Sequence, residues 1–398
     1  MNWFTSPPLS RRPEPNPVLL AFTTCSGALG MHVMVPALPI IAHELGTSAG
    51  HIQLAITLYI VGMALGQLVY GPLSDRFGRR PLLLIGLTLY ALSMLIGALA
   101  PTADLLIAIR VSQALGGCGG LVLGRAMIRD TSEPDQAAAK LALLNLAMSI
   151  APAVAPAIGG YLTVWFGWRS IFWFLFALGA AVLVASVLLL PETNRTRTSL
   201  VGIGGMVRNY ARLLQQRQFY TYAIGGACST TSIYAFFSAS PFLLIDVLKQ
   251  PAEQTGLYYL LLVGGVSFGS LLANRLASRI SINRASRLAN GVQIACSGAM
   301  LLADVTGNLS VFTLIGPMVV YGAATGVAGP NTISGAISAD PAMIGSASGL
   351  YGFLQFCFAA ICTLIVSLWH DNSALPVAVV LVASNIAGQV ALSIAGRK

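Results

Sequence analysis

Twelve long apolar runs separated by short polar segments dominate the chain. About 20 helical residues cross a bilayer, because the hydrocarbon is ~30 Å thick and each residue rises ~1.5 Å. None of the runs shows the alternation of polar and apolar residues that is typical of a barrel strand. Inside lipid, the remaining structure that satisfies the backbone hydrogen bonds is a helix. We therefore predict an all-α polytopic membrane protein with twelve transmembrane helices. The runs are Pro17–His43, His51–Gly71, Leu82–Ala100, Ala103–Ile128, Ala137–Val164, Trp168–Pro191, Phe219–Val247, Gln254–Leu276, Ala285–Asp304, Leu309–Ile333, Ile344–Trp369 and Ala374–Ile394.

Basic residues are concentrated on one side of this predicted arrangement. If the N-terminus lies inside, the inside segments hold all of the 22 lysines and arginines except Arg110, Arg169 and Lys249. A wrong number of helices would scramble this asymmetry. The positive-inside rule therefore supports twelve spans with both termini cytoplasmic.

Composition excludes several other classes. Charged residues make up 9% of the 398 residues and hydrophobic residues 56%, whereas a soluble domain carries about 25% charged residues. The net charge of +9 is spread in small groups between apolar runs, as in loops that face anionic lipid, so nucleic acid is not an expected partner. The six cysteines lie inside apolar runs, without zinc-ligand spacing, and we expect them to pack in the core.

The longest polar stretch, 192–218, divides the chain into two halves of six helices. We predict bundles over residues 17–191 and 219–394, and cytoplasmic tails over 1–16 and 395–398. The proline-rich first tail has no apolar segment of a signal peptide and is expected to be retained. Two bundles with a path between them suit alternating access of a small solute to a central site.

A glycine- and arginine-rich motif, Gly71–Pro81, joins spans two and three. Gly71 is expected to let helices approach closely, Asp75 to pair with an arginine or cap a helix, and Gly78 to allow a tight turn. The motif resembles the cytoplasmic signature of the major facilitator superfamily (MFS). Asn274–Ser281 is a degenerate copy with Ser278 in the aspartate position, so a latch should belong mainly to the first half. The predicted latch residues are Gly71, Asp75, Arg76, Gly78, Arg79 and Arg80.

Span four contains an arginine in the segment Arg110–Gly116. A lone arginine in hydrocarbon costs several kcal/mol, so Arg110 should face a cavity or a partner. The alternative is a side chain that reaches the outer surface, which is about 10 Å away by helix rise. The segment resembles the superfamily's span-four motif, whose arginine is linked to proton coupling.

Span five ends in the small-residue segment Ala151–Gly160. Small residues and proline permit close helix packing and a bend. The segment resembles the antiporter motif of drug exporters, with Ala155 in place of the usual central glycine, and ordinary helix packing is the alternative interpretation. The motif residues are Pro152, Pro156, Gly159 and Gly160.

Four further segments narrow the resemblance. They are Pro36–Ala42, Ser238–Phe242, Gly329–Thr332 and Gly345–Gln355. Together with the motifs above they look like the Bcr/CflA branch of the MFS, whose members are bacterial drug:proton antiporters related to bicyclomycin and chloramphenicol exporters. The resemblance runs from about residue 30 to residue 356. It implies multidrug efflux across the bacterial inner membrane by a monomer that uses the proton gradient and no cofactor.

The chain departs from this branch at His32, where an aspartate is usual four residues before Pro36. Asp104, Asp130 and Asp246 all lie near span ends, as does Asp304. His32 is about 16 Å from the outer end of its span, so it could share a layer with Arg110. Because histidine titrates near physiological pH, His32 is a candidate proton carrier or a neutral substrate-binding group. The alternative is a polar residue satisfied between helices.

The substrate should bind near mid-membrane between the halves. An adaptable pocket of aromatic, methionine and amide groups would suit neutral, zwitterionic or weakly amphipathic compounds better than strong cations. Each lining residue could equally be part of the packed core. The candidates are Tyr59, Gln67, Gln113, Asn145, Met148, Tyr234, Phe237, Ser238, Tyr258, Tyr259, Asn331, Gln355 and Phe356.

Other functions remain open at this stage. A dedicated exporter of one metabolite, such as a siderophore, peptide or amino acid, would use the same machinery as a drug exporter. A non-transporting receptor should carry an additional signalling domain. A membrane enzyme would need intramembrane catalytic clusters, which the sequence does not contain, so we do not expect an enzyme.

Overall fold

Every regular element in the described part of the chain is helical. The computed structural model describes residues 14–194, 203–276, 279–340, 343–369 and 373–395. Two helices carry short irregular neighbours: a 3₁₀ turn at Val35–Ala37 and a π-helical turn at Leu243–Val247. The α-helices are α1 Pro17–His32, α2 Leu38–Glu44, α3 Ala49–Phe77, α4 Arg79–Ala98, α5 Ala103–Thr131, α6 Pro134–Phe166, α7 Arg169–Leu189, α8 Ile203–Gln215, α9 Arg217–Thr231, α10 Ile233–Phe242, α11 Ala252–Leu276, α12 Ile282–Val305, α13 Val311–Ile337, α14 Ile344–Leu368 and α15 Leu375–Ala395.

The twelve predicted spans are confirmed, since twelve helical segments in the described residues are long and apolar enough to cross a membrane. The pair α1–α2 forms the first span, and α9, α10 and the π turn form the seventh. The other spans are single helices, and α8 lies between the two halves. Several predicted positions lie outside the described residues: Arg11, Arg12, Arg195, Arg197, Ser278, Arg397 and Lys398.

The polar segment 192–218 contains more regular structure than expected. Helix α8 occupies its centre, and α9 begins within it at Arg217. Leu213 is buried against the second half, whereas Arg208 and Arg212 are exposed. Helix α8 is therefore an amphipathic surface helix.

Helix packing follows the two-bundle arrangement. In the first half α5 packs on α1, α3 and α4, and in the second half α13 packs on α9, α11 and α12. The two halves meet mainly through α3 against α14 and α6 against α11. The predicted interface between the halves is thus formed by spans two, five, eight and eleven.

Contacts between the halves extend from the end predicted to face outside. Thr57 donates a hydrogen bond to Thr363 across the interface at 2.9 Å. Farther along the same helices Gln67 reaches Gly352. Beyond them, a Cβ added at Gly71 or Gly345 would meet no heavy atom within 4 Å. The halves are therefore closed against each other at the outer end.

Candidate functional site

The helix of the first span is interrupted beside His32, a buried histidine. Helix α1 ends at His32, and the 3₁₀ turn Val35–Ala37 precedes α2. Pro36 has no N–H, so it cannot bond to the carbonyl of His32 as the residue four positions later in an α-helix would. The proline is therefore a local cause of the break, which places irregular backbone next to His32 in the interior of the protein.

His32 lies between aromatic rings of the other half. Its side chain is 3% exposed. The imidazole stacks on Tyr234 with ring centroids 6.1 Å apart and meets Phe237 edge-on at 5.4 Å. Phe237 in turn lies 5.4 Å from the ring of Tyr259. The histidine of the first half is thus enclosed by an aromatic cluster of the second.

The imidazole is not satisfied by hydrogen bonds. Its Nδ1 is buried and has no partner among the described residues. An unpaired buried polar atom costs about 1–3 kcal/mol, so such atoms tend to mark functional positions. The interpretation of His32 as a satisfied core residue is not supported. The site retains a hydrogen-bonding group that a proton, water or substrate could use.

Arg110 is fully buried, which excludes a side chain that reaches the outer surface. Its Nε donates to the carbonyl of Ala55 at 3.1 Å, and Nη1 donates to Gly30 and to Gln113 Oε1 at 2.9 Å each. The guanidinium lies over the Tyr59 ring, 4.2 Å from its centroid. Arg110 therefore joins spans one, two and four through polar contacts and a cation–π contact.

This cation has no carboxylate partner in the described part of the chain, and its Nη2 is buried and unpaired. His32 lies close enough for a charge on one group to act on the other. The layer shared by His32 and Arg110, expected from helix rise, is confirmed, because Arg110 bonds to Gly30 two residues before the histidine.

Two tyrosines and a serine complete the surroundings of Arg110. Tyr59 donates to the carbonyl of Gly27 at 2.7 Å, and Gln113 donates to the carbonyl of Ser93 at 3.1 Å. The hydroxyl of Tyr90 is buried without a partner among the described residues. Sequence reasoning missed Tyr90 and Ser93, since a single Tyr or Ser in an apolar run carries no distinguishing signal.

One predicted cavity residue lies at the outer loop, and two others have hydrogen-bond partners other than His32 and Arg110. Tyr258 bonds to Gln250 in the outer loop, so its expected mid-membrane position is wrong. Asn145 is exposed and accepts from Arg125 at 3.4 Å. The amide of Asn331 donates to Val327 in its own helix.

The remaining candidates have mixed surroundings. Ser238 is buried and donates within its own helix, whereas Tyr259 shares a hydrogen bond with Ser240. Gln355 donates to Thr230 and Tyr351 in the second half. Gln67, Met148 and Phe356 are partly buried. The structure therefore brings together Tyr59, Gln113, Tyr234, Phe237 and Tyr259 around Arg110 and His32.

The small-residue motif of span five packs closely against two neighbouring segments. A Cβ on Gly159 would overlap the carbonyl oxygen of Val33, in the break of span one. Ala157 fits against Gly256 of α11, in the other half. Pro152 and Pro156 lie inside the continuous helix α6, and Gly160 is buried. The motif therefore packs α6 closely against both the broken span and the opposite bundle.

The cytoplasmic motif is mostly helix. Helix α3 continues through Asp75 and Arg76 to Phe77, and only Gly78, with φ of +103°, separates it from α4. This positive φ explains the glycine, as expected. Close helix approach does not explain Gly71, whose added Cβ would meet nothing within 4 Å.

The charged residues of this motif interact with groups of the first half. Arg79 Nη1 lies 2.6 Å from Asp75, and its Nε donates to Asp130 at 3.0 Å. Arg80 donates to the carbonyl of Val187 at 2.7 Å. Arg76 lies over the ring of its neighbour Phe77. Arg79 thus links spans two and four at the ends predicted to face the cytoplasm.

A second group of residues, not anticipated from the sequence, closes this network. The carboxylate of Glu192 accepts from the backbone N–H groups of Arg79 and Arg80 at 3.0 and 3.2 Å. Asn194 donates to the carbonyls of Ser74 and Asp75 at 3.0 Å each. Glu192 therefore caps the first turn of α4 from a position more than 100 residues away in sequence.

A sequence comparison identifies the family. The model of the Major Facilitator Superfamily matches residues 20–392, nearly the whole chain. The chain belongs to the Major Facilitator Superfamily. Superfamily members are transporters that are generally not enzymes and generally need no cofactor.

Curated MFS relatives come from the branch that the motifs indicated. The chain is 32% identical to a chloramphenicol resistance protein of Pseudomonas aeruginosa, over 88% of this chain and 84% of that one. It is 27% identical to a bicyclomycin resistance protein homolog of Haemophilus influenzae, over 87% of each. It is 29% identical to multidrug resistance protein D of Escherichia coli, over 85% of this chain and 84% of that one. The predicted Bcr/CflA-type resemblance is confirmed.

Solved structures confirm the MFS fold. The nucleoside transporter NupG has a TM-score of 0.74 at 12% identity, with 95% of this chain and all of that chain covered. A D-xylose–proton symporter has a TM-score of 0.72 at 14% identity, with 96% and 97% covered. At this identity the likeness concerns the fold alone.

Proposed function

We propose that this MFS protein exports drug-like small molecules from the cytoplasm across the bacterial inner membrane by proton-coupled alternating access. The observation that carries the proposal is the position of His32: a titratable group of one half, enclosed by aromatic rings of the other, beside a buried arginine. The curated relatives support drug-like substrates, since their names refer to chloramphenicol, bicyclomycin and multidrug resistance.

His32 is the proposed proton carrier. When neutral it packs on Tyr234 and Phe237, and these contacts help to hold the halves together. A proton on the imidazole adds a positive charge near Arg110, which no described carboxylate neutralises. The two charges repel, and in a medium of low dielectric constant this repulsion is strong. Both charges belong to the first half, so separation of the halves relieves the burial of the charged imidazole: water reaches it once Tyr234 and Phe237 of the second half move away. Protonation therefore favours separation of the halves at this level.

The substrate uses the same surface in turn. Tyr234 and Phe237 are the aromatic faces that an apolar or aromatic compound would occupy once the imidazole has moved away. His32 Nδ1 offers the compound one hydrogen bond. Proton and substrate thus compete for one position, which is the requirement for exchange of one against the other.

The cytoplasmic network acts as a latch within the first half. The ion pairs of Arg79 with Asp75 and Asp130, together with the Glu192 cap, hold the ends of spans two, three, four and six in one rigid unit. The small-residue motif of span five provides the tight seam between the halves. The bundle then moves as a body during alternating access. In this arrangement both termini face the cytoplasm and the protein acts as a monomer.

The proposal is tested in everted membrane vesicles. Acidifying the lumen should drive uptake of chloramphenicol or another compound of a panel in the wild type, because the gradient runs as it does in the cell. His32→Ala should bind the compound but lose the response to the imposed gradient. His43→Ala is the matched control, an exposed histidine of the same span, and should respond as the wild type does.

Two results would contradict different parts of this function. If the wild type moves no member of a broad drug panel, drug export is wrong, and uptake of a single siderophore, peptide or amino acid would identify a dedicated exporter. If His32→Ala keeps the full response to the gradient, His32 is not the proton carrier although export stands.

A further inference from the structure

A cavity of about 310 Å³ lies at the outer ends of both halves, away from the His32 site. One wall comes from the start of α3 in the first half, through Gln53 and its neighbours. The other walls come from α10, the π turn, and the outer ends of α14 and α15. None of the residues predicted to line the central substrate cavity belongs to it. It is a separate pocket, built jointly by the two bundles.

The polar groups of this cavity favour a hydrogen-bond donor with a positive charge. Asp246 supplies a carboxylate at the exposed side, and no lysine or arginine is among the described lining residues. Lys249 is close enough to Asp246 for their charges to interact, but it does not line the cavity. A carboxylate beside a partly apolar cavity attracts a cation that also has an apolar part, because the apolar part can pack inside the pocket.

Gln53 provides an independent sign of a missing ligand. Its side chain is 6% exposed, and its Oε1 is buried with no hydrogen-bond partner in the described part of the chain. Rotation of the amide presents either its oxygen or its amino group to the cavity. A bound N–H group would satisfy the oxygen. Apart from Ser373, the remaining side chains of the walls are apolar and include Phe242 and Trp369.

The backbone is shaped to place Asp246 here. The chain makes a π-helical turn over Leu243–Val247, in which Leu248 N–H bonds to the carbonyl of Leu243 at 2.9 Å. Such wide turns are rare and often occur at functional sites. The extra residue in this turn rotates the positions around it about the helix axis, and this rotation brings Asp246 to the cavity.

We propose that this cavity is an outer-face binding site for amphipathic amines. The ammonium group pairs with Asp246 and donates to Gln53, and the apolar body of the amine packs on Phe242 and Trp369. Because both halves contribute, a bound amine holds their outer ends together and slows export. The site goes beyond the exchange at His32 and does not depend on it.

Protection of a cysteine measures this binding in intact cells. Ser373 lines the cavity and is half-buried, so Ser373→Cys should react with a membrane-impermeant maleimide, and the parent without this cysteine gives the background. Naphthylmethylamine, charged at pH 7, should slow the labelling. Naphthylmethanol, the neutral counterpart, should not.

Asp246→Asn in the Ser373→Cys background should weaken the protection by about tenfold or more, since a charged hydrogen bond is lost. Gln53→Leu should weaken it by a smaller factor, and offers a second test if the first variant folds poorly. Asp104→Asn is the matched control: this carboxylate lies on the same face, pairs with His51 and does not line the cavity. It should retain full protection.

The inference is overturned if the amine protects equally in Asp246→Asn, if the alcohol protects as well as the amine, or if neither protects. Drug uptake by everted vesicles is measured separately. Protection without any uptake would leave this site in place and remove the proposed function, and uptake without protection would do the reverse.

Discussion

The hydrogen bond between Thr57 and Thr363 gives a quantitative test of the closed outer end. The two hydroxyls lie 2.9 Å apart, both residues are buried, and they belong to opposite halves. Among the described contacts this is a direct polar link between the bundles. Thr57→Val keeps the shape of the side chain and removes the donor, so the closed state should lose the energy of this bond and little else.

The magnitude follows from the net value of a buried neutral hydrogen bond, about 0.5–1.5 kcal/mol. In an equilibrium between a closed and an open outer end, this energy changes the open fraction by about two- to twelvefold, since about 1.4 kcal/mol corresponds to a factor of ten. The bond has no equivalent once the halves separate. Its loss therefore appears almost entirely as a shift of population.

A buried cysteine at the outer interface reports the open fraction. Ala239 is 7% exposed and lines the outer cavity, so Ala239→Cys should react with an impermeant maleimide only when the halves part. Thr57→Val should raise this rate by two- to twelvefold, Thr363→Val should do so similarly, and the double variant should add little to either. Thr88→Val is the matched control, because the Thr88 hydroxyl donates within its own helix on an exposed face.

The reasoning would be refuted by a double-mutant cycle without coupling. If the effects of the two variants simply add, or if Thr88→Val accelerates labelling as much as they do, the cross-interface bond does not hold the outer end closed. A decrease in the labelling rate would mean that the hydroxyls favour the open state.

Three further predictions concern stability in detergent. Arg110→Lys keeps the charge but cannot make the same set of hydrogen bonds or the same contact with the Tyr59 ring. Thermal unfolding should therefore show a loss of stability of about 2 kcal/mol or more. A stability equal to that of the wild type would contradict the network. Glu192→Ala should cost about 1–2 kcal/mol through the lost cap on α4, whereas Glu133→Ala, a helix-start carboxylate without a side-chain cap bond, should cost less. Gly159→Ala should separate α6 from the broken span and abolish efflux, and unaltered efflux would show that this close packing is dispensable.

The transmembrane fold was predictable because lipid imposes one strong rule on each segment. A run of about 20 apolar residues becomes a helix wherever it lies, since its backbone has no other partners. The boundaries were less predictable where polar residues continue a helix. Helix α3 carries Ser74, Asp75 and Arg76 past the predicted end of span two, and the polar segment before α9 forms helix α8.

The candidate site was partly predictable for a similar reason. Arg110 is costly in hydrocarbon wherever it lies, so a partner was expected, and Pro36 weakens the helix beside His32 by local chemistry alone. Which groups surround these side chains is not a local property. The sequence offered many tyrosines and amides for the pocket, and it could not tell Tyr59, against Arg110, from Tyr258, at the outer loop.

Sequence alone determined the class of protein, the number of spans, the turn at Gly78, and the resemblance to drug exporters, because these depend on short segments and on the lipid around them. Tertiary structure decided that Glu192 caps α4, that Asp130 holds Arg79, and that Tyr234 and Phe237 enclose His32. These contacts join residues 51 to 205 positions apart. They exist only because twelve helices pack in one arrangement, and pairing at such distances is a property of the packed bundle rather than of any segment.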